Sequence, residues 1–408
     1  MRRFLVILAS ATILSVAAIL FTSVSGWRAA DDLGQFLAGV FFSESVNADL
    51  IRGKYSAPAP EEKTVKILIV PGHDNLTWGT QFRGMREAEI NLAVSKELLG
   101  FLSKDKRVSA VLLRDSSGYN PDFSSYIVSN RNEISEYISS QRGIMKALLD
   151  KRYIEEPEGP YHNNARSDIA FRLYAANVWA RSIAADLVIH VHFNDYPRRN
   201  QNAPGEYSGL AVYIPDRQYS NARASRELGE AIFSELSRYY PASDQPKESS
   251  GVVEDQTLIA LGSNNTLDAA GVLVEYAYIY EPYLLKESVR AVHLKEMAFQ
   301  TYRGVLKFLD SENWAAERKT FFLPHLFERS MVSGERDEDV VSLQAALLFD
   351  GSYPPEGFSI RDCPISGMFR ECTTLAVKNF QKKYGIDQTG AVGPSTRKKL
   401  NSIYGAFE

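Results

Sequence analysis

The sequence predicts an α/β fold, a mostly parallel sheet with helices on both faces, followed by a small C-terminal three-helix domain. Three observations carry this reading. Short apolar runs bounded by turn residues, such as Ile67–Val70 and Asp186–His192, read as buried strands. Longer stretches with helical spacing alternate with these runs as far as Leu309, the pattern of crossover helices joining parallel strands. From Asp337 onward the strand-like runs stop and short helices separated by loops take over.

Taken in order, the chain opens with the basic Met1-Arg2-Arg3 and the apolar run Phe4–Phe21, which is long enough to cross a bilayer. Small residues follow, with Ser23-Val24-Ser25 and Val24-Ser25-Gly26 as candidate cleavage sites. Residues 1–26 are therefore read as a signal peptide or an uncleaved membrane anchor. Either reading exports the remainder to the periplasm or cell surface, membrane-anchored or secreted. The 408 residues contain no second long apolar run, which excludes a multispanning protein. Residues 27–63 lack clear periodicity and end in the Pro- and charge-rich Ala57–Lys63, so they read as a linker.

The main domain is expected over residues 64–310. Thr64–Val70 is its first strand, Glu87–Lys104 its first helix and Val108–Arg114 its second strand. A long helical pattern runs over about Ser129–Lys151 and ends in the turn-rich Glu155–His162. Then come a helix at Asp168–Ala185, strands at Asp186–His192 and Gly209–Ile214, and a helix at Ser220–Tyr240 with Ser220 as N-cap. Strands at Gln256–Ala260 and Gly271–Tyr276 and a helix at Glu281–Leu309 complete it. Residues 311–336 read as a second linker, and 337–408 as a separate small domain with helices at Val340–Leu348, Thr374–Tyr384 and Ser395–Tyr404.

Composition narrows the partners. Charged residues make up 24% and hydrophobic residues 45%, the balance of an ordinary globular protein. A net charge of −4 gives no electrostatic footprint for nucleic acid. The two cysteines, Cys363 and Cys372, would close a short loop as a disulfide, which export permits; two free core thiols are the alternative.

The chemistry gathers at strand ends. The first strand delivers Pro71-Gly72-His73, and Glu87 follows at a helix start. His192 ends the strand DLVIHVH and precedes Phe193-Asn194, while Glu275 lies in GVLVEY. In an open parallel sheet all four fall at the carboxyl edge, where ligands bind. Two His and one carboxylate, with a fourth position open, make a catalytic zinc arrangement, and a further carboxylate can carry the proton. Singly, each residue has a blander reading. A lone strand His packs in a core, and Glu87 complements a helix dipole. Glu275 is the exception, because a carboxylate in so apolar a run is costly to bury without a role. His190 shares a strand face with His192, so spacing alone allows it as a ligand too.

Together these motifs resemble the zinc-dependent N-acetylmuramoyl-L-alanine amidases of the third catalytic type, over about Val65–Leu309. The matching pieces are Pro71-Gly72-His73; Gly84-Met85-Arg86-Glu87 with Asn91-Leu92; Leu113-Arg114 in place of a Thr-Arg pair; Arg172 with Ala176-Asn177; Ala185-Asp186-Leu187; His192-Phe193-Asn194; and Leu273-Val274-Glu275. The resemblance implies that His73, Glu87 and His192 bind Zn2+ and that Glu275 is the catalytic carboxylate. It also implies cleavage of the amide joining the lactyl group of N-acetylmuramic acid to L-alanine of the stem peptide. His190 stands where the family carries a small polar residue, so it is read as a substrate or hydrogen-bonding neighbour, with Asn194 and Arg86 as further substrate contacts. Departures are Asp74-Asn75 in place of a second Gly, Tyr276-Ala277 in place of Gly-Phe, and a long insertion at about 115–164 that reads as a lid or regulatory element.

The last domain resembles the three-helix peptidoglycan-binding domain, through Asp339-Val340, Leu343-Gln344, Gly367-Met368-Phe369, Ala376-Val377, Phe380-Gln381 and Val392-Gly393-Pro394. The expected protein is thus an exported peptidoglycan hydrolase held on its polymer. A zinc peptidase acting on stem or cross-bridge peptides, or a catalytically inactive wall-binding regulator, are the alternatives.

Overall fold

The computed structural model describes residues 46–57, 64–155, 167–196, 199–261, 268–316 and 323–405. The apolar run and signal or anchor reading at residues 1–26 lie outside the described residues, as does the end of the 115–164 insertion. No helix among the described residues is long and apolar enough to cross a membrane.

The strands are β1 (Val65–Pro71), β2 (Gln81–Phe82), β3 (Met85–Arg86), β4 (Val108–Leu112), β5 (Leu187–Asn194), β6 (Ala211–Pro215), β7 (Val252–Asp255) and β8 (Ala270–Tyr278). The helices are α1 (Ala48–Tyr55), α2 (Glu87–Leu102), α3 (Pro121–Ser129), α4 (Arg131–Asp150), α5 (Ser167–Ser182), α6 (Ala222–Leu236), α7 (Glu287–Leu309), α8 (Ser311–Ala316), α9 (Glu338–Asp350), α10 (Glu371–Lys383) and α11 (Pro394–Tyr404). Six strands form one sheet in the order β4-β1-β5-β8-β6-β7. All neighbours run parallel except β6, which is antiparallel to β8.

The near-continuous apolar runs follow from burial on both faces. Along β1, Val65, Ile67 and Ile69 join the core that takes in Val94 and Leu98 of α2 and Leu228 of α6. The alternate residues Leu68 and Val70 pack instead with Phe123 of α3, Ile134 of α4 and Trp179 of α5. Between β1 and α2 the chain makes a small hairpin, β2–β3, whose central residues Arg83 and Gly84 have φ of 49° and 84°. Two positive φ values are what a two-residue type I′ turn demands, and Gly84 meets this without steric cost.

Several elements differ from the sequence expectation. The expected linker at 27–63 contains α1, capped by Asn47 and buried through Ala48, Ile51 and Tyr55. Eight residues are too few to show a period, but the i, i+3, i+7 stripe is enough to pack, and Lys54–Asp186 and Arg52–Glu227 ion pairs fasten the helix. The strand expected at 256–260 lies at β7 instead, because Asp255 Oδ1 accepts hydrogen bonds from the Thr257 and Leu258 amides and turns the chain. Asn221, not Ser220, caps α6, and its amide is spent on the Ala269 carbonyl at 3.0 Å. The long pattern at 129–151 is preceded by a second helix, since Asn120 caps α3 with Pro121 at its first position and Asn130 separates α3 from α4.

The end of the expected second linker, 327–336, belongs to the C-terminal unit. Met331 pairs with Val392, Arg336 with Met368, and Asn401 bonds the Phe327 backbone through both amide atoms. Cys363 and Cys372 form the disulfide, tying the loop after α9 to α10. This unit docks on the main domain. Arg361 bonds Asp244 and the Ala242 carbonyl, Arg336 the Pro282 carbonyl, and Phe349 meets Tyr239.

Two outcomes follow. Replacing Cys363 and Cys372 by Ser opens a loop with a sequence separation of 9, and calorimetry should show a destabilisation of about 2.5 kcal/mol. His293 on α7 is fully buried, donating to or accepting from the Tyr240 hydroxyl, and burial pushes its pKa down to about 3. Because only the unfolded chain takes the proton, stability present above pH 6.5 is lost as pH falls from there toward 3. Unfolding measured at pH 7 and 4.5 should show a loss that is smaller in His293→Gln than in the wild type by on the order of 2–3 kcal/mol.

Candidate metal centre

His73, Glu87 and His192 come together at the carboxyl edge of the sheet, with one donor atom from each lying within 4.8 Å of the others. His73 Nε2 is 3.0 Å from Glu87 Oε2, and His192 Nδ1 is 3.1 Å from Glu87 Oε1, so each carboxylate oxygen faces one imidazole. The two rings meet edge to face at 5.2 Å.

Local backbone makes this possible. His73 adopts a left-handed φ of 59°, a conformation that costs a non-Gly residue energy and clusters at functional sites. Gly72 and Gly79 stand where side chains could not. A Cβ on Gly72 would lie 2.3 Å from the His192 ring, and one on Gly79 2.3 Å from Glu87 Oε2 and 2.5 Å from the His73 ring. Glu87 is held further by the Thr80 amide at 3.0 Å, the Phe193 amide at 3.3 Å and Asn91 Nδ2 at 3.3 Å. Buried Arg114 closes the arrangement from behind, donating to the carbonyls of Pro71, Gly72 and Ala88. Asp74 bends the following loop, accepting from the Leu76 and Thr77 amides with one oxygen and from Tyr119 with the other. Burial opposes its charge, yet the Thr77 and Tyr119 hydrogen bonds hold its carboxyl below the usual range.

The same balance acts on the triad. Burial works against the Glu87 carboxylate, but the charges and hydrogen bonds of His73 and His192 keep it well below the usual carboxylate range. Burial also opposes protonation of His73, and Glu87 outweighs it and raises that pKa. For His192 burial wins and the pKa is lowered.

Glu275 lies opposite His192 in the β5–β8 register, so both project from the same face, and both line an open cleft with His73, Glu87 and Asn194. Its Oε2 is buried without a hydrogen-bond partner among the described residues. Burial, then the nearby carboxylates of Glu87 and Glu248, push its pKa well above the carboxylate range. A proton acceptor of raised affinity thus shares a cleft with a ready-made N/O donor set.

The remaining expected site residues are distributed differently. Asn194 is on the cleft, but its amide is engaged at both ends, by Glu248 Oε1 and by the Asp195 amide, each at 2.8 Å. Arg86 does not line the cleft; its guanidinium lies 3.4 Å over the Trp78 ring. His190 stays out of the triad and is buried beneath it, its pKa pushed down to about 3 by burial and then by the charge of His192. Sequence reasoning missed Glu248, which accepts hydrogen bonds from Asn194, Tyr213 and Tyr278. It also missed Arg199, which packs between Phe82 and Tyr280 and ties Asp195 to the Gln81 carbonyl. Glu248 ends the single 3-10 turn Pro246–Glu248 and Arg199 lies in a loop, so no period or motif marks either.

A curated relative, the spore cortex-lytic enzyme of Halalkalibacterium halodurans, is 35% identical over 77 residues, 19% of this chain. The matched part spans about a fifth (21%) of that relative. Among solved structures, an N-acetylmuramoyl-L-alanine amidase from Clostridium difficile 630 has 17% identity and a TM-score of 0.38, covering 61% of this chain and 98% of its own. The amidase AmiC2 of Nostoc punctiforme has 18% identity and a TM-score of 0.37, covering 60% and 97%. A peptidoglycan binding domain matches residues 336–400. The N-acetylmuramoyl-L-alanine amidase family matches residues 67–307, more than half of the chain and the whole of the sheet edge just described, and the protein belongs to that family.

Proposed function

We propose that this chain is a zinc-dependent peptidoglycan amidase that hydrolyses the bond between N-acetylmuramic acid and the L-alanine of the stem peptide. The observation that carries the reading is the convergence of a His/Glu/His donor set with the unpartnered carboxyl oxygen of Glu275 on one cleft. Two imidazoles and a carboxylate fit zinc, whose catalytic sites take three such ligands and leave a position open. When bound there, zinc lowers the pKa of a water and polarises the scissile carbonyl.

The chain's own residues do the rest. Glu87, gripped by backbone amides, keeps the two imidazoles aimed at one point. Glu275 takes the proton of the attacking water at its free carboxyl oxygen. It returns that proton to the amine nitrogen of L-alanine as the carbon–nitrogen bond breaks, leaving the lactyl group as a carboxylic acid. Glu248 holds Asn194 at the cleft wall and so fixes the chain immediately after His192. The C-terminal peptidoglycan-binding unit raises the effective concentration of the cleft on an insoluble polymer. Such a polymer lies outside the cytoplasm, and residues 1–26 would supply the export signal or anchor.

Incubation of the full chain with purified sacculi, followed by mass analysis, should release peptides with a free L-alanine amine and leave the glycan intact. Products that keep lactyl-linked L-alanine would make the enzyme a peptidase, and no products at all would make it a wall-binding regulator. Glu275→Gln should lose 10²–10⁴-fold in rate, roughly the worth of general acid–base catalysis, while retaining its metal. Elemental analysis should find one zinc per chain. His73→Ala and His192→Ala should each lower that content, and chelation should abolish activity that added zinc restores.

A further inference from the structure

Glu87 is reached by a chain of contacts that starts outside the cleft. Thr80 brackets this residue with its backbone. The Thr80 amide donates to Glu87 Oε2 at 3.0 Å, and the Thr80 carbonyl accepts from the Glu87 amide at 2.9 Å. Oε2 is also the oxygen that faces His73 Nε2. The Thr80 hydroxyl donates in turn to Asp195 Oδ2, and Asp195 Oδ1 accepts from Arg199 Nε. Asp195 lies three residues after His192, so these contacts join the segment that follows one member of the triad to the segment that precedes another.

The Arg199 side chain is only 5% exposed, and its guanidinium lies 5.3 Å from the ring centroids of both Phe82 and Tyr280. Its Nη2 donates to the Gln81 carbonyl at 2.7 Å and to Thr80 Oγ1 at 3.3 Å, and its Nη1 to the Asn200 carbonyl at 3.1 Å. Burying a guanidinium merely to pack the β2–β3 hairpin would carry a desolvation cost that an apolar side chain avoids. The planar fork instead sets the Thr80–Gln81 backbone against Asp195, a geometry that a single ammonium cannot reproduce. Thr80 and Asp195 line the cleft, whereas Arg199 does not.

We propose that Arg199 is a positioning residue for the metal centre, acting through Asp195 and Thr80 to fix the Glu87 oxygen that faces His73. This rests on the zinc amidase reading above. The terminal torsion of a glutamate is broad, so its carboxylate turns unless neighbours pin it. The Thr80 amide pins Oε2, and Asp195 and Arg199 hold that amide in place. Outer contacts of this kind, made to a metal ligand, are worth roughly 10–100-fold in metal affinity. Arg199→Gln and Thr80→Val each cut the tether at a different link and leave the triad and the Thr80 amide in the chain.

Zinc affinity of the full chain, measured by competition with a chromophoric chelator, tests this. Arg199→Gln and Thr80→Val should each weaken zinc binding at least tenfold. The double variant should lie within about threefold of the weaker single one, because both substitutions cut the same tether. Unfolding midpoints of the zinc-free proteins are measured alongside. A smaller loss of affinity in either folded variant overturns the proposal, since an Arg199 that merely stabilises the hairpin would lower the midpoint and leave zinc binding unchanged. Single effects that multiply in the double variant overturn it as well. If Arg199→Gln does not fold, Thr80→Val decides by the same threshold, with the hydroxyl-retaining Thr80→Ser expected to restore the wild-type affinity. The amidase reading fails in the wild type itself, which would then bind no zinc or release no peptide with a free L-alanine amine from sacculi. Failure of the positioning role shows only in the comparison of variants with a zinc-binding wild type.

Discussion

The structure turns on the grip of one buried carboxylate by two imidazoles. Glu87 sits at the first turn of α2, yet its side chain leaves the helix to meet His73, two residues past the end of β1, and His192 from β5. Burying a carboxylate unpaired would cost several kcal/mol, so the surroundings are built to compensate. Two imidazoles, two backbone amides and the Asn91 side chain converge on it. Gly72 and Gly79 let the backbone come close enough, and Arg114 neutralises the carbonyls that the tight His73 turn leaves pointing inward. Each of these features is explained by the triad, and none by the packing of the sheet alone.

A second carboxylate in the same cleft is driven the opposite way. Glu87 is held ionised by its partners, whereas Glu275 has a buried oxygen without one and feels the charge of Glu87 and Glu248. The two environments push the proton affinities of these carboxyl groups apart, the division that the proposed roles of ligand and base require. Glu248 adds a structural purpose. It gathers the hydroxyls of Tyr213 and Tyr278 and the amide of Asn194, so strands β5, β6 and β8 are joined by polar contacts just where the sheet ends.

The C-terminal unit is docked rather than merely tethered. Its contacts reach Asp244 and Ala242, and the neighbouring Ser243 hydroxyl meets the Tyr278 hydroxyl. A module fixed on its enzyme presents the bound polymer at a constant distance and angle from the cleft. A flexible linker would supply only proximity.

Much of this was legible in the chain itself. Alternating apolar runs and helical stretches determined a two-faced sheet, because period and length report burial directly. Strand-end motifs determined His73, Glu87, His192 and Glu275, since a parallel sheet carries its strand ends to one edge whatever the loops do. Tertiary structure decided what no local pattern encodes. Helix α1 was hidden because its eight residues form too short a period, and Glu248 and Arg199 because a single 3-10 turn and a loop bring them to the site. The role of His190 was also open, because spacing along a strand sets which face a side chain takes but not what lies above that face. The packing of α5 and residues 258–260 over β5 leaves a cavity there, and with it an imidazole nitrogen without a hydrogen-bond partner among the described residues.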